Sequence, residues 1–168
     1  FEKYGQLLKD IMDYLVSGKH PNLQVRENGL VYSEGRNKAI TWMNATVNGR
    51  PVTPRTGYIV EFNTLWYNAL RFVGELLGEN GDTEFCARLS EVADKAGKAF
   101  VETFLNEYGY LLDYVADGNM MDWSVRPNMI FAAAFDYSPL DAKQKKGVID
   151  IVTKELLTPK GLRSLSPK

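Results

Sequence analysis

A single cysteine and a single histidine in 168 residues exclude much familiar chemistry. Cys86 has no partner for an internal disulfide, and its neighbours Phe85, Ala87 and Leu89 read as a packed helix position. His20 lies beside Pro21 in a Gly-Lys-His-Pro turn, with no second histidine or cysteine cluster to build a metal site. A Ser-His-Asp triad would rest on His20 alone, and neither a Gly-x-Ser-x-Gly elbow nor a phosphate loop is present. No cofactor and no metal are expected. No apolar run approaches the ~20 residues of a membrane span, and no basic-then-apolar leader precedes a small-residue cleavage site. Neither sign of charge dominates: 20 basic residues face 21 acidic ones, a net charge of −1. Such a balance draws the chain to neither nucleic acid nor an anionic membrane, so a neutral or small ligand is expected for a soluble protein.

What is present is an ordinary globular composition, 45% hydrophobic and 24% charged, in a chain long enough to bury a core as one domain or a piece of one. A chain that opens on Phe1 and closes on Leu-Ser-Pro-Lys is expected to be cut at both ends. Apolar residues spaced by three and four predict an amphipathic helix over 2–17, stopped by Gly18. The same pattern predicts helices over 58–78 and 82–106, the latter capped by Asp82. Ala93, Ala96, Gly97 and Ala99 would let that third helix pack closely. Pro127 fits the first turn of a short apolar helix, and Ser138, Pro139 and Asp141 read as N-cap, first-turn proline and N3 acid of a last one over 139–157. Two long irregular segments separate these elements, 19–57 and 107–126, the first with candidate strands at Leu23–Val25 and Leu30–Tyr32. Five helices joined by turns and long loops predict an all-α arrangement of paired helices.

Residues 41–70 mix polar and charged groups with aromatics in a way that packing alone does not require. Trp42, Trp66, Tyr67 and Trp123 each join a flat face to a polar tip, which suits either a sugar ring or a core. Arg55, stiffened by Pro51 and Pro54, precedes a helix whose first turn carries Glu61. That pair reads either as a fork for sugar hydroxyls or as a loop-to-helix ion pair. Asp113, Asp117 and Asp122 flank Gly118 ahead of Arg126 and read as sugar ligands, weak calcium ligands or a solvated turn, the calcium reading being discounted because the spacing of a calcium loop is absent. Asn44-Ala45-Thr46 matches an N-glycosylation acceptor, a short pattern frequent by chance.

Five ordered segments carry a resemblance: TWMN at 41–44, PVTPR at 51–55, VEFNTLWYNAL at 60–70, VRPNMIFA at 125–132 and LLTPKGLRSLSP at 156–167. Together they resemble the C-terminal amylo-α-1,6-glucosidase domain of glycogen debranching enzymes. The resemblance implies an all-α fold, a partial (α/α)6 toroid of helical hairpins, with residues 1–168 as a fragment of the complete ring. It implies a cytoplasmic protein acting on glycogen or another branched α-glucan, hydrolysing the α-1,6-linked glucose by an inverting mechanism. Such a mechanism uses one carboxylic acid and one carboxylate ~6.5–9.5 Å apart. The family's general-acid position falls on Asn44, and its second carboxylate would follow Lys168, so the chain alone is expected to be inactive. A non-catalytic carbohydrate-binding relative is the alternative. Trp42, Asn44, Arg55, Glu61, Trp66 and Arg126 are implied to line or support the glucose subsite. Apolar helix faces left open by an incomplete ring are expected to promote self-association.

Overall fold

The computed structural model describes residues 3–35 and 37–167. Helix α1 (Gly5–Val16) ends where Gly18 adopts φ +67°, and the predicted start of this helix at Glu2 lies outside the described residues. Strands β1 (Leu23–Val25) and β2 (Val31–Ser33) follow, then a small hairpin of β3 (Thr46–Val47) and β4 (Arg50–Pro51). Asn48 and Gly49, both at positive φ, make its two-residue turn. Strand β5 (Gly57–Ile59) leads directly into helix α2 (Val60–Glu79), and helix α3 (Thr83–Phe104) returns antiparallel to it. Strands β6 (Tyr114–Ala116) and β7 (Met120–Asp122) come next, then a 3-10 turn (Pro127–Met129), α4 (Ile130–Ala134), α5 (Ala142–Leu156) and a closing hairpin of β8 (Leu157–Thr158) and β9 (Gly161–Leu162).

The expected all-α toroid does not hold: the chain is mixed α/β. Its two long inter-helix segments form one five-stranded antiparallel sheet, in the order β1-β2-β5-β6-β7. The physical reason is that each of these strands has three residues, too few for a period-2 pattern to emerge from Gly- and Asn-rich surroundings. Their pairing is also non-local, because the whole α2–α3 hairpin separates β5 from β6 along the chain. The last helix is corrected too. Asp141 is its N-cap, in a capping box with Gln144, while Ser138 donates to the Ala132 carbonyl and accepts from Leu140 N–H ahead of it.

The core lies between the α2–α3 hairpin, the sheet and α5. Leu70, Val73 and Leu77 of α2 and Leu89, Ala93, Ala96 and Phe100 of α3 are buried in it, the alanines letting the helix backbones approach. Gly29 rests on α3: at φ +81° it has no Cβ, and one placed there would lie 2.7 Å from Ala96 N. The Trp66 indole N–H donates to the Gly29 carbonyl, and its ring joins the core at 5% exposure. Asn63, fully buried, accepts from Val31 N–H and donates to the carbonyls of Val31 and Ile59, clamping the start of α2 onto the sheet. That clamp fixes the first turn of α2, where Glu61 sits.

Gly57 tests this architecture. At φ +101° its place beside β6 leaves no room for a side chain, since a Cβ would fall 2.3 Å from the Val115 carbonyl oxygen. Gly57→Ala is expected to lower stability by at least ~3 kcal/mol in urea titrations. Gly81→Ala, at a similar φ of +86° but with open space around it, is expected to lose only ~1 kcal/mol.

Candidate functional site

Three segments that are distant in sequence converge on one guanidinium. Arg55 lies in the extended stretch before β5, where Thr56 Oγ1 donates to the Ser33 carbonyl and ties the segment to β2. From there its side chain, fully buried, donates from Nη1 and Nη2 to the two Glu61 carboxylate oxygens at 2.5 and 2.7 Å. Glu61 occupies the first turn of α2, where the helix N-terminus also favours an anion. On its other side Arg55 meets Asp113, the residue before β6, donating from Nη2 to Oδ1 at 3.0 Å and to the backbone carbonyl at 3.2 Å. That same carbonyl accepts from Val60 N–H, so the network locks the start of α2 to the start of β6.

Glu61 takes Arg55 in the two-pronged geometry that guanidinium and carboxylate prefer. Asp113 takes what remains. Its Oδ2 lies 2.9 Å from Arg55 Nε and 3.6 Å from Arg126 Nε, yet forms an aligned hydrogen bond with neither. Burial pushes the Asp113 carboxyl up to about 6, against the pull of Arg55 and of a hydrogen bond from Asn128; Glu61 and Asp122 add to the rise. Burial alone would pull Arg55 down, but Glu61 and Asp113 outweigh it and hold the guanidinium above its ordinary value. Two cations and two anions balance the cluster.

Asn128 carries this interior order to the surface. Its side chain, 1% exposed, donates to Asp113 Oδ1 at 2.7 Å and accepts from the Trp42 indole N–H at 2.9 Å. The Asn128 amide also lies 3.6 Å from the Met43 sulfur. One buried amide therefore holds the loop of residues 41–44, with the Trp42 ring 56% exposed above it.

Of the six residues singled out from sequence, Trp42, Arg55, Glu61 and Arg126 meet in this assembly, although Arg55 and Glu61 are interior rather than surface-lining. Asn44 is exposed, two residues beyond Trp42. Trp66 stands apart in the core, its N–H spent on Gly29. The central parts played by Asp113 and Asn128 went unread. A polar Asn128 within an apolar stretch right after Pro127 is the signal that could have found it. The three aspartates of the second loop go three ways: Asp113 inward, Asp117 to Arg26 at the surface, Asp122 to the Ser124 N–H in a turn. His20 Nδ1 accepts from Asn22 N–H within its own turn. Among the described residues no group of three or more His, Cys, Asp or Glu is placed to hold a metal ion, and no helix is long and apolar enough to cross a membrane.

An exposed indole is thus pinned over a charge-balanced, buried ionic cluster of guanidinium and carboxylate groups by one buried amide. The chain belongs to the amylo-alpha-1,6-glucosidase family, whose model matches residues 2–168. No curated protein matches the chain.

Two outcomes check the electrostatics. Arg55→Ala leaves Glu61 buried without its cation and Asp113 with only the more distant Arg126, and is expected to lower stability by about 3–5 kcal/mol, read from urea midpoints. Because the folded value of Asp113 lies above the ordinary 3.8, the fold favours its neutral form. The stability this gives is full below pH 3.8 and is lost as pH rises through about 6, on the order of 2–3 kcal/mol. Asp113→Asn is expected to remove that slope in urea melts between pH 4 and 7.

Proposed function

We propose that this chain supplies the glucose-holding wall of a debranching-type glucosidase, and that by itself it binds the α-1,6-linked glucose of a glycogen-like glucan without cleaving it. The observation that carries this reading is where the carboxylates are. Inverting hydrolysis needs an acid and a base on opposite faces of the scissile bond, ~6.5–9.5 Å apart and with room for a water. Glu61 and Asp113 instead grip a single guanidinium in the interior, with side chains 3% and 1% exposed. Their oxygens are engaged with Arg55, Asn128 and Arg126, which supports a supporting rather than a proton-transferring role.

At the surface the family's general-acid position holds Asn44, an amide that can hydrogen-bond a sugar oxygen but has no proton to give at neutral pH. Trp42 offers its ring to the C–H face of a glucose, with its N–H already fixed by Asn128. Arg126, 13% exposed, has its Nε beside Asp113 and supplies cationic donors at the edge. Membership of the amylo-alpha-1,6-glucosidase family supports a branched α-glucan as the ligand.

Calorimetry of the chain with isomaltose tests the binding, and release of glucose from a phosphorylase-limit dextrin tests the chemistry. Saturable isomaltose binding is expected, weakened about tenfold by Trp42→Ala and by Arg126→Ala, with no glucose released. Absence of binding, or glucose release by the chain as it stands, overturns the proposal.

A further inference from the structure

Asparagine followed by glycine occurs three times in this chain, at residues 28–29, 48–49 and 80–81. The pair is reactive because a glycine, having no Cβ, lets its backbone nitrogen approach the amide carbon of the preceding side chain. Folding treats the three pairs differently.

Two are held at both reacting groups. Asn28 Oδ1 accepts from Leu30 N–H at 3.1 Å, its Nδ2 reaches the Tyr58 hydroxyl at 3.4 Å, and Gly29 N–H donates to the Arg26 carbonyl at 2.8 Å. Asn80 Nδ2 donates to the Leu76 carbonyl at 2.8 Å, and Gly81 N–H donates to the Gly78 carbonyl at 3.0 Å. The third pair is loose. Asn48 and Gly49 are both exposed at the tip of the β3–β4 hairpin, and among the described residues no hydrogen bond holds the Asn48 side chain or the Gly49 N–H. A Cβ on Gly49 would meet nothing within 4 Å.

A two-residue hairpin prefers Asn-Gly at positive φ, which explains the pair but not its freedom. Attack requires Asn48 to leave its φ of +51°, so the hairpin must open. Opening costs little, because β3 and β4 have two residues each with largely exposed side chains, and the Val52 N–H bond to the Ala45 carbonyl adds one further step.

We propose that Asn48 is a self-modification site, at which the folded chain deamidates through a succinimide to aspartate and isoaspartate. The Gly49 nitrogen attacks Asn48 Cγ: an N–Cγ bond forms, the Cγ–Nδ2 bond breaks, and ammonia leaves with the proton that Gly49 gives up. One water then opens the ring at either carbonyl carbon, and no oxidant, reductant or cofactor enters. Opening at the backbone carbonyl routes the chain through the side chain and lengthens a turn that allows only two residues. Both products set a carboxylate beside Arg50. The isoaspartate form is expected to unpair β3 from β4, with Asn128 still holding Trp42. Asp117, the chain's one aspartate before a glycine, keeps its two carboxylate oxygens on Arg26 at 3.0 and 3.2 Å and is disfavoured as a second source of isoaspartate.

The test is to age the full chain in warm, mildly alkaline buffer, folded and in guanidinium chloride, and to follow each site by peptide mass spectrometry. In the folded chain position 48 is expected to convert at least about tenfold faster than 28 or 80, and in denaturant the three rates are expected to agree within about threefold. Labelling by an isoaspartyl methyltransferase is expected to appear with age and to be mostly lost in Asn48→Gly, which keeps the turn. Conversion at 28 or 80 as fast as at 48 in the folded chain overturns the proposal. So does a folded chain unconverted at 48 while the denatured chain converts there. Unchanged hydrogen exchange over residues 45–52 in the isoaspartate form would overturn the unpairing.

Discussion

One buried guanidinium shared between two carboxylates organises this protein. Arg55 cannot shed its charge, so the fold must keep an anion against it wherever it is buried. Glu61 meets that need from the first turn of α2, and Asp113 from the start of β6. Because the two acids come from either end of the α2–α3 hairpin, satisfying the cation also fixes how the hairpin meets the sheet. Asn63 and the Val60–Asp113 backbone bond act in the same place and direction. A buried ion network is weak as a source of stability, but breaking one is heavily penalised, and that asymmetry is what holds three segments in one register.

The consequence at the surface follows from charge counting. Glu61 saturates the best face of Arg55, leaving Asp113 with imperfect contacts to two cations and a firm one to Asn128. With one amide proton committed to Asp113, the Asn128 oxygen is left to face outward and take the Trp42 indole. The orientation of an exposed ring is thereby set by an ion pair it never touches. A loop with no secondary structure at residues 41–44 acquires order from the interior rather than from its own backbone.

How much of this could be read in advance depended on sequence distance. The helices were legible because their apolar residues recur over many turns, as in Leu70, Val73 and Leu77, and because Asp82 caps α3 through Phe85 N–H. Arg55 and Glu61, six residues apart across a stiff loop, could be paired on sight. Asp113 could not, since it reaches Arg55 across 58 residues through a strand pairing that leaves no local pattern. The sheet was hidden for the same reason: Leu23–Val25 was recognised as a candidate strand, but nothing within three residues says that β2 will find β5 and β5 will find β6. Trp66 was ambiguous by type, and only the carbonyl of Gly29 decided where its N–H would go.

The placement of acidity also bears on what separates binding from hydrolysis in such a site. A general acid at neutral pH needs a carboxyl raised well above its ordinary value, which burial supplies. This chain contains such a group in Asp113, raised to about 6, but its oxygens face Arg55, Asn128 and Arg126 rather than solvent. Asn44, the position proposed to face a sugar, is exposed, and a carboxyl there would lack the burial that raises Asp113. Placing an aspartate at Asn44 would therefore supply a carboxyl without the acidity. A carboxyl at that position would gain a raised pKa only from a further apolar surface laid over the 41–44 loop, because burial is what raises Asp113.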